Sequence, residues 1–476
     1  MKSLRLLRLL PLVLCLKGTI VMCDSPMTVP RVKCSPHVLS LARDFADGTG
    51  ALSVLYFGNS RTFYCYAAGG LARFARERGI LTGSSLVMGG PRAVYQNKIH
   101  GSVIKRYATD GEALWTPEHC DSTLTYNTYH TDGFILPEPG RYIQPYPIGE
   151  QTGIDPSDTL RYNFLLRRGP DEGACEVLLR AGNDSASLET YDLLEVTAAD
   201  TGTPYTELVR VTLKPAPCRT LEIRCTSGRV IIYGFNVRSS AAPGWMTGQM
   251  SIGGIGYPVQ MRTEESHEDP RCPRADYITH IRSADPDVVI IQYANNQQAG
   301  GAEWKSSVRE LLGRIAEAKQ GKEFLTVFQI DNTLPDSNSG RLRDSSIVFF
   351  NQIAASWDNY VIADPQPHLP DDWPQPGEEG AGYTINPPHE NDRGSREVFN
   401  ALLADIRQSL RDLPVRHLPL RGRGVTTGFD RPVVNVGQRG ISIRSDKGVF
   451  NAGGRRIMRG IERVRRGPNQ GNRSNH

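Results

Sequence analysis

Along the chain, short apolar runs alternate with polar, turn-rich stretches, and the rhythm of that alternation changes twice. The first run, ALSVLYF (51–57), is nearly continuous in apolar residues and stops at Gly58-Asn59-Ser60. A run of this kind predicts a buried strand ending in a turn. YCYAAGGLARFARERG (64–79) follows as a helix that Gly69-Gly70 weaken. The rhythm then shortens to period two in GRYIQPY, TLRYNFLLRR, CEVLLRAG, YTELVRVTL, RTLEIRC and RVIIYGFNVR, with Gly, Pro and Asp between the runs. These are the marks of an all-β domain, a sandwich or jelly roll. Beyond it, PDVVIIQYANNQ (286–297) reads as another buried strand and WKSSVRELLGRIAEAKQG (304–321) as an amphipathic helix. The strands EFLTVFQID and NYVIAD come next, then a Pro-rich loop at 365–388 and the helix REVFNALLADIRQSL.

The pattern predicts an α/β fold interrupted by a β domain. Its expected parts are 48–118 (first α/β portion), 119–240 (inserted β-sandwich) and 241–411 (second α/β portion), with an irregular basic tail at 412–476. A length of 476 residues suffices for several such cores. The formal charge is only +4, and residues 451–476 alone carry seven Arg against one Glu. The body is therefore near neutral, which gives no reason to expect nucleic acid. The tail can touch an anionic cell-envelope polymer.

Residues 1–23 place Lys2, Arg5 and Arg8 ahead of LLPLVLCL, the form of a secretory signal peptide. Cys23 invites lipidation, which Met22 before it disfavours. A secreted, cell-envelope or periplasmic location would permit disulfides among the nine cysteines. Cys218 and Cys225, separated by strand-like sequence, suggest a disulfide or simple burial rather than zinc.

Three loops follow apolar strands or precede helices: GNS (58–60), SIGGIG (251–256) and YANN (293–296). In a parallel sheet such loops meet at one edge. Ser60 would be a nucleophile, backbone N–H groups of the second loop oxyanion donors, and Asn295 or Asn296 amide donors. His389, in YTINPPHENDRGSREVF just before the last helix, is the candidate base. Trp245, Tyr64 and Tyr66 are either sugar-stacking residues or core, and Arg61 is either an anion contact or solvated.

The set GNS, GGIG, YANN and Asn386-Pro387-Pro388-His389 resembles the blocks of the SGNH (GDSL-type) hydrolase superfamily. That resemblance implies a flavodoxin-like α/β fold with Ser60 as nucleophile and His389 as base. Gly256 or Gly253 and Asn296 would form the oxyanion hole, and no cofactor or metal would be needed. A β domain inserted after the first block also resembles secreted esterases that remove O-acetyl groups from peptidoglycan or other polysaccharides, which makes such a polymer the expected substrate. Two departures bear on activity. Ala294 stands where the family has Gly, and Asn386 where it has the Asp that orients the histidine. An amide accepts the imidazole proton but carries no charge. Glu390, Asp392, Asp364 or Glu378 could supply a carboxylate instead. The alternatives are an O-acetyltransferase using the same site and a degenerate protein that binds surface glycans.

Overall fold

The computed structural model describes residues 29–58, 66–86, 138–144, 155–240 (without 185, 203 and 204), 244–251, 261, 274–292, 302–331, 339–373, 382–386, 389–390 and 392–413. It also describes isolated strands at 106–109, 112–113, 125–128, 131–136, 433–437, 440–445 and 448–451. The leader expected at 1–23 lies outside the described residues. Two compact units form, Met1–Leu413 and Pro414–His476.

The first unit begins with the short strand β1 (Val32–Lys33) and helix α1 (Pro36–Asp47). Ser35 caps α1 by accepting the Val38 N–H, Pro36 opens its first turn, and Gly48 ends it at φ 68°. Strand β2 (Ser53–Gly58), helix α2 (Tyr66–Glu77) and strand β3 (Leu81–Leu86) follow. A long β region comes next: β4 (Arg106–Thr109), β5 (Glu112–Ala113), β6 (Thr125–Thr128), β7 (Thr131–Leu136), β8 (Tyr142–Gln144) and β9 (Leu160–Arg168). It continues through β10 (Ala174–Gly182), β11 (Glu189–Thr197), β12 (Tyr205–Leu213), β13 (Cys218–Ser227) and β14 (Val230–Ser239). The chain then returns to α/β alternation with β15 (Trp245–Ser251), α3 (Arg274–Ala284), β16 (Val288–Gln292), α4 (Ala302–Lys319) and β17 (Leu325–Gln329). It ends in α5 (Ser339–Ala354), β18 (Tyr360–Ala363), the small hairpin β19 (Thr384–Asn386) and β20 (His389–Glu390), and α6 (Asp392–Arg411).

Six parallel strands lie side by side in the order β18-β17-β16-β2-β15-β3. Because strand side chains alternate between faces, Val54, Tyr56, Val288 and Ile290 join one core with α1, α2 and α6. Leu55, Phe57, Val289 and Ile291 join the other, beneath α3, α4 and α5. Both sheet faces are thus covered, and the strands read as unbroken apolar runs.

The β region is a sandwich. One layer, β11-β10-β13-β8-β4-β5, faces β12-β9-β14 across Val177, Leu179, Leu221 and Ile223 on one side and Tyr162, Phe164, Leu166 and Val211 on the other. Its strands β4 and β5 precede residue 119. The second layer is hydrogen-bonded to the α/β sheet, since β14 pairs antiparallel with β3 through Phe235↔Leu86 to Arg238↔Gly83. Cys218 and Cys225 stand at opposite ends of β13, seven residues apart. At roughly 3.3 Å per strand residue they are some 23 Å from each other, which rules out a bond between them.

In the second unit, β21 (Val433–Gly437), β22 (Gly440–Ser445) and β23 (Gly448–Asn451) form an antiparallel meander. Among the described residues no helix is long and apolar enough to cross a membrane.

Candidate active site

Three strands that lead into the sequence-predicted loops are immediate neighbours in the sheet. Strand β2 lies between β15 and β16, with Gly58 level with Ser251 and Phe57 level with Ile291. Gly58, Ser251 and Gln292 therefore end their strands at one height. With parallel strands about 4.8 Å apart, these ends span roughly 10 Å. The chain leaves them toward Asn59-Ser60, toward 252–256 and toward 293–296. Ser60, Gly253, Gly256, Asn295 and Asn296 themselves lie outside the described residues, as do Arg61 and Tyr64.

The helix after β2 lies on one face of the sheet and the helix after β16 on the other. The gap between β2 and β16 is thus a topological switch point, the position at which open α/β sheets place their ligands. Tyr56 and Gln329 form part of the floor below this edge, the phenol donating to Gln329 Oε1.

Asn386 and His389 face each other across the β19–β20 hairpin. Their side chains are outside the described residues, as are those of Glu390 and Asp392, and Glu378 lies outside altogether. The backbone of β20 packs against α2 and α6. That approach depends on a glycine. A Cβ on Gly70 of α2 would stand 2.2 Å from the Ser395 carbonyl oxygen of α6. The two helices cross at backbone contact there, drawing the segment after Ser60 toward the segment after His389. Gly70, one of the two glycines that weaken the helix in sequence, is what permits this crossing.

The hairpin is also held from below. The buried Tyr383, next to β19, donates its hydroxyl to Asp372 Oδ1 at 2.8 Å and accepts from Arg393 Nη2 at 3.0 Å. The Arg393 guanidinium lies 4.4 Å from the Tyr383 ring centroid, and Trp373 packs 5.2 Å away on the same ring. Burial, followed by the bond to Asp372, pushes the Tyr383 phenol up, so it remains a donor. One side chain thereby ties the start of the hairpin to the first turn of α6. Only the aromatic residues Trp373 and Tyr383 inside a Pro-rich loop hinted at this in the sequence.

Asp364, considered from sequence as an acid for His389, is engaged elsewhere. Both its oxygens bind Arg343, at 2.6 and 2.5 Å, and its N–H donates to Asp405 Oδ2. Trp245, considered for sugar stacking, is a core residue. It is fully buried, its ring 5.4 Å from Phe45 and 5.7 Å from Phe74, and its indole donates to the Thr49 carbonyl.

No protein-family model matches the chain, and no curated protein matches it. Among solved structures, a peptidoglycan O-acetylesterase aligns at 12% identity over 82% of this chain and 100% of its own, with a TM-score of 0.47. A family two carbohydrate esterase from Clostridium thermocellum, in complex with cellohexaose, aligns at 12% identity over 60% of this chain and 99% of its own (TM-score 0.26). One from Cellvibrio japonicus aligns at 10% identity over 65% and 95% (TM-score 0.24). The chain has a mixed α/β fold, and its likeness to these esterase structures is weak, of low identity, and assigns it to no family.

Proposed function

We propose that the protein is a serine esterase of the SGNH type that removes O-acetyl groups from a polysaccharide or peptidoglycan. The observation that carries this reading is the common height of Gly58, Ser251 and Gln292 on three adjacent parallel strands, with β20 packed on α2 beside them. Strand order supports it too. Numbered along the chain, β15-β2-β16-β17-β18 run 2-1-3-4-5, the flavodoxin-like order, with β3 added outside β15.

In this reading His389 takes the Ser60 proton as Oγ attacks the ester carbonyl. The oxyanion is held by the Ser60 and Gly256 N–H groups and the Asn296 amide. His389 then protonates the departing sugar oxygen, and water attacks the acyl-Ser60 to release acetate. Asn386, facing His389 in the hairpin, would accept the imidazole proton without charge, so the imidazolium would gain less stabilisation than a carboxylate gives.

The test is hydrolysis of a short activated acetyl ester by the purified protein. Ser60→Ala and His389→Ala should each lower kcat/KM by about 1,000-fold or more, the double variant losing no further factor of that size. Asn386→Asp should raise kcat by at least about 10-fold. Full activity in Ser60→Ala would overturn the assignment. An inert wild type alongside an active Asn386→Asp variant would mark instead a site kept for binding.

A further inference from the structure

The β-sandwich contains a pair of cysteines that the linear sequence does not bring together. Cys175 of β10 and Cys225 of β13 are direct partners across antiparallel strands, next to a register shift at Ala174/Cys175. The Cys225 N–H donates to the Arg141 carbonyl at 2.8 Å, and its own carbonyl accepts from the Gly140 N–H at 2.9 Å. Both backbone groups of Cys225 thus point to the strand edge away from Cys175. The facing positions 175 and 225 form a non-hydrogen-bonded pair, the kind in which opposed Cα atoms stand about 4.5 Å apart with side chains on one face. A disulfide accepts Cα separations of roughly 4.4–6.8 Å. Both side chains are about 1% exposed and both lie in the sandwich core. Cys225 Sγ is held only by weak bonds to the Ser227 and Gly228 carbonyls, at 3.5 and 3.4 Å.

We infer that Cys175 and Cys225 are the two halves of a cross-strand disulfide, formed as the sandwich folds in the presence of a disulfide oxidant. The structure holds them as thiols. The oxidant is a small-molecule disulfide or an oxidised thiol–disulfide oxidoreductase. One cysteine thiolate attacks a sulfur of the oxidant, forming a mixed disulfide and expelling one thiolate. The second cysteine thiolate then attacks the protein-bound sulfur, closing the Cys175–Cys225 bond and expelling the other. The two thiol protons pass to the expelled thiolates and two electrons pass from the protein to the oxidant, which leaves as two thiols. The bond must form before the sandwich closes. Once folded, burial pushes the Cys175 thiol up to about 12 and raises Cys225 as well, leaving almost no thiolate to react.

The experiment is to unfold the reduced full-length chain and refold it in a buffer of oxidised and reduced glutathione. Unlinked thiols are then alkylated, and peptides are mapped without reductant. The expected product joins the Cys175 peptide to the Cys225 peptide and is two hydrogens lighter than the reduced pair. It should melt about 5 °C above the reduced protein, the difference vanishing with dithiothreitol and in Cys175→Ala or Cys225→Ala. If the refolded protein carries alkyl groups on both residues, or links either one to another cysteine, the inference is wrong. The wild-type map decides this even where the alanine variants fail to fold.

Discussion

The short strands of the α/β sheet and the longer strands of the sandwich are used in opposite ways. Every residue of β16 is buried, whereas β10 alternates buried and half-buried positions from end to end. Helices cover both faces of the first sheet, so its strand side chains are consumed by packing. Any chemistry there must lie beyond the strand ends. The sandwich leaves the outer face of its β10 layer near solvent, with polar groups along those strands, whereas Leu165 and Ile231 of the other layer pack into the core beneath α3. Glu222 of β13, for example, is bound by Arg180 at 3.1 Å and Arg224 at 2.6 Å. This contrast is the reason the proposed site is placed at the edge of one region, while the other is suited to hold shape or present a surface.

The largest effects should come from substitutions that ask whether each face is covered. In β16, Val289→Ala and Ile290→Ala point to opposite cores and should each cost about 2–4 kcal/mol, measured by urea unfolding. In β10, Val177→Ala should cost a comparable amount, and its half-buried neighbour Leu178→Ala no more than about 1 kcal/mol. Equal losses at Val177 and Leu178 would mean that the outer face of the β10 layer is covered too, and the comparison would fail.

Gly70→Ala tests how the edge is assembled. Its Cβ collides with the backbone of α6 rather than with a side chain that could turn away. Overpacking of this type costs about 1–3 kcal/mol. Because α2 and α6 flank the segments carrying Ser60 and His389, hydrolysis should fall by more than stability does. A variant destabilised to that extent with unchanged kcat would show that the helix crossing does not position the site.

How much of this was legible beforehand follows from the same contrast. Unbroken runs such as PDVVIIQ and the period-two runs of the sandwich disclose themselves, because burial on two faces or one is written in the local pattern. The loops could be found by residue type, but their common height depends on strand order, and β15 reaches its place beside β2 only after the whole β region has intervened. Pairings across such distances leave no local trace. Cys175 opposite Cys225 is one example, and Gly70 against Ser395 is another. Trp245 kept two readings open in the sequence for a related reason. Its Pro/Gly-rich approach looks like a surface loop, yet Gly244 delivers it directly into the first position of a buried strand, between Phe45 and Phe74.

The smallest expected effect concerns the far edge of the α/β sheet, where an ionisable group is packed as tightly as the apolar ones. Asp405 of α6 is about 2% exposed, bound by Arg31 at 2.6 Å and by the Asp364 N–H at 2.9 Å, with His368 Nε2 at 3.4 Å. Burial raises its carboxyl above the ordinary aspartate value, and the bonds from Asp364 and Arg31 only partly oppose that. The folded protein therefore holds this proton more tightly than the unfolded chain does. The stabilisation that results is complete below about pH 4, the unfolded value, and is lost as pH rises through the higher folded value. Asp405→Asn cannot titrate. The unfolding free energy of the wild type minus that of the variant should accordingly decline from about pH 3 to about pH 6. A pH-independent offset will add to it, because Arg31 loses its charged partner in the variant. If the difference instead rises over that range, the Arg31 and Asp364 bonds outweigh burial, and Asp405 is an ordinary ion-pair carboxylate set in an apolar wall.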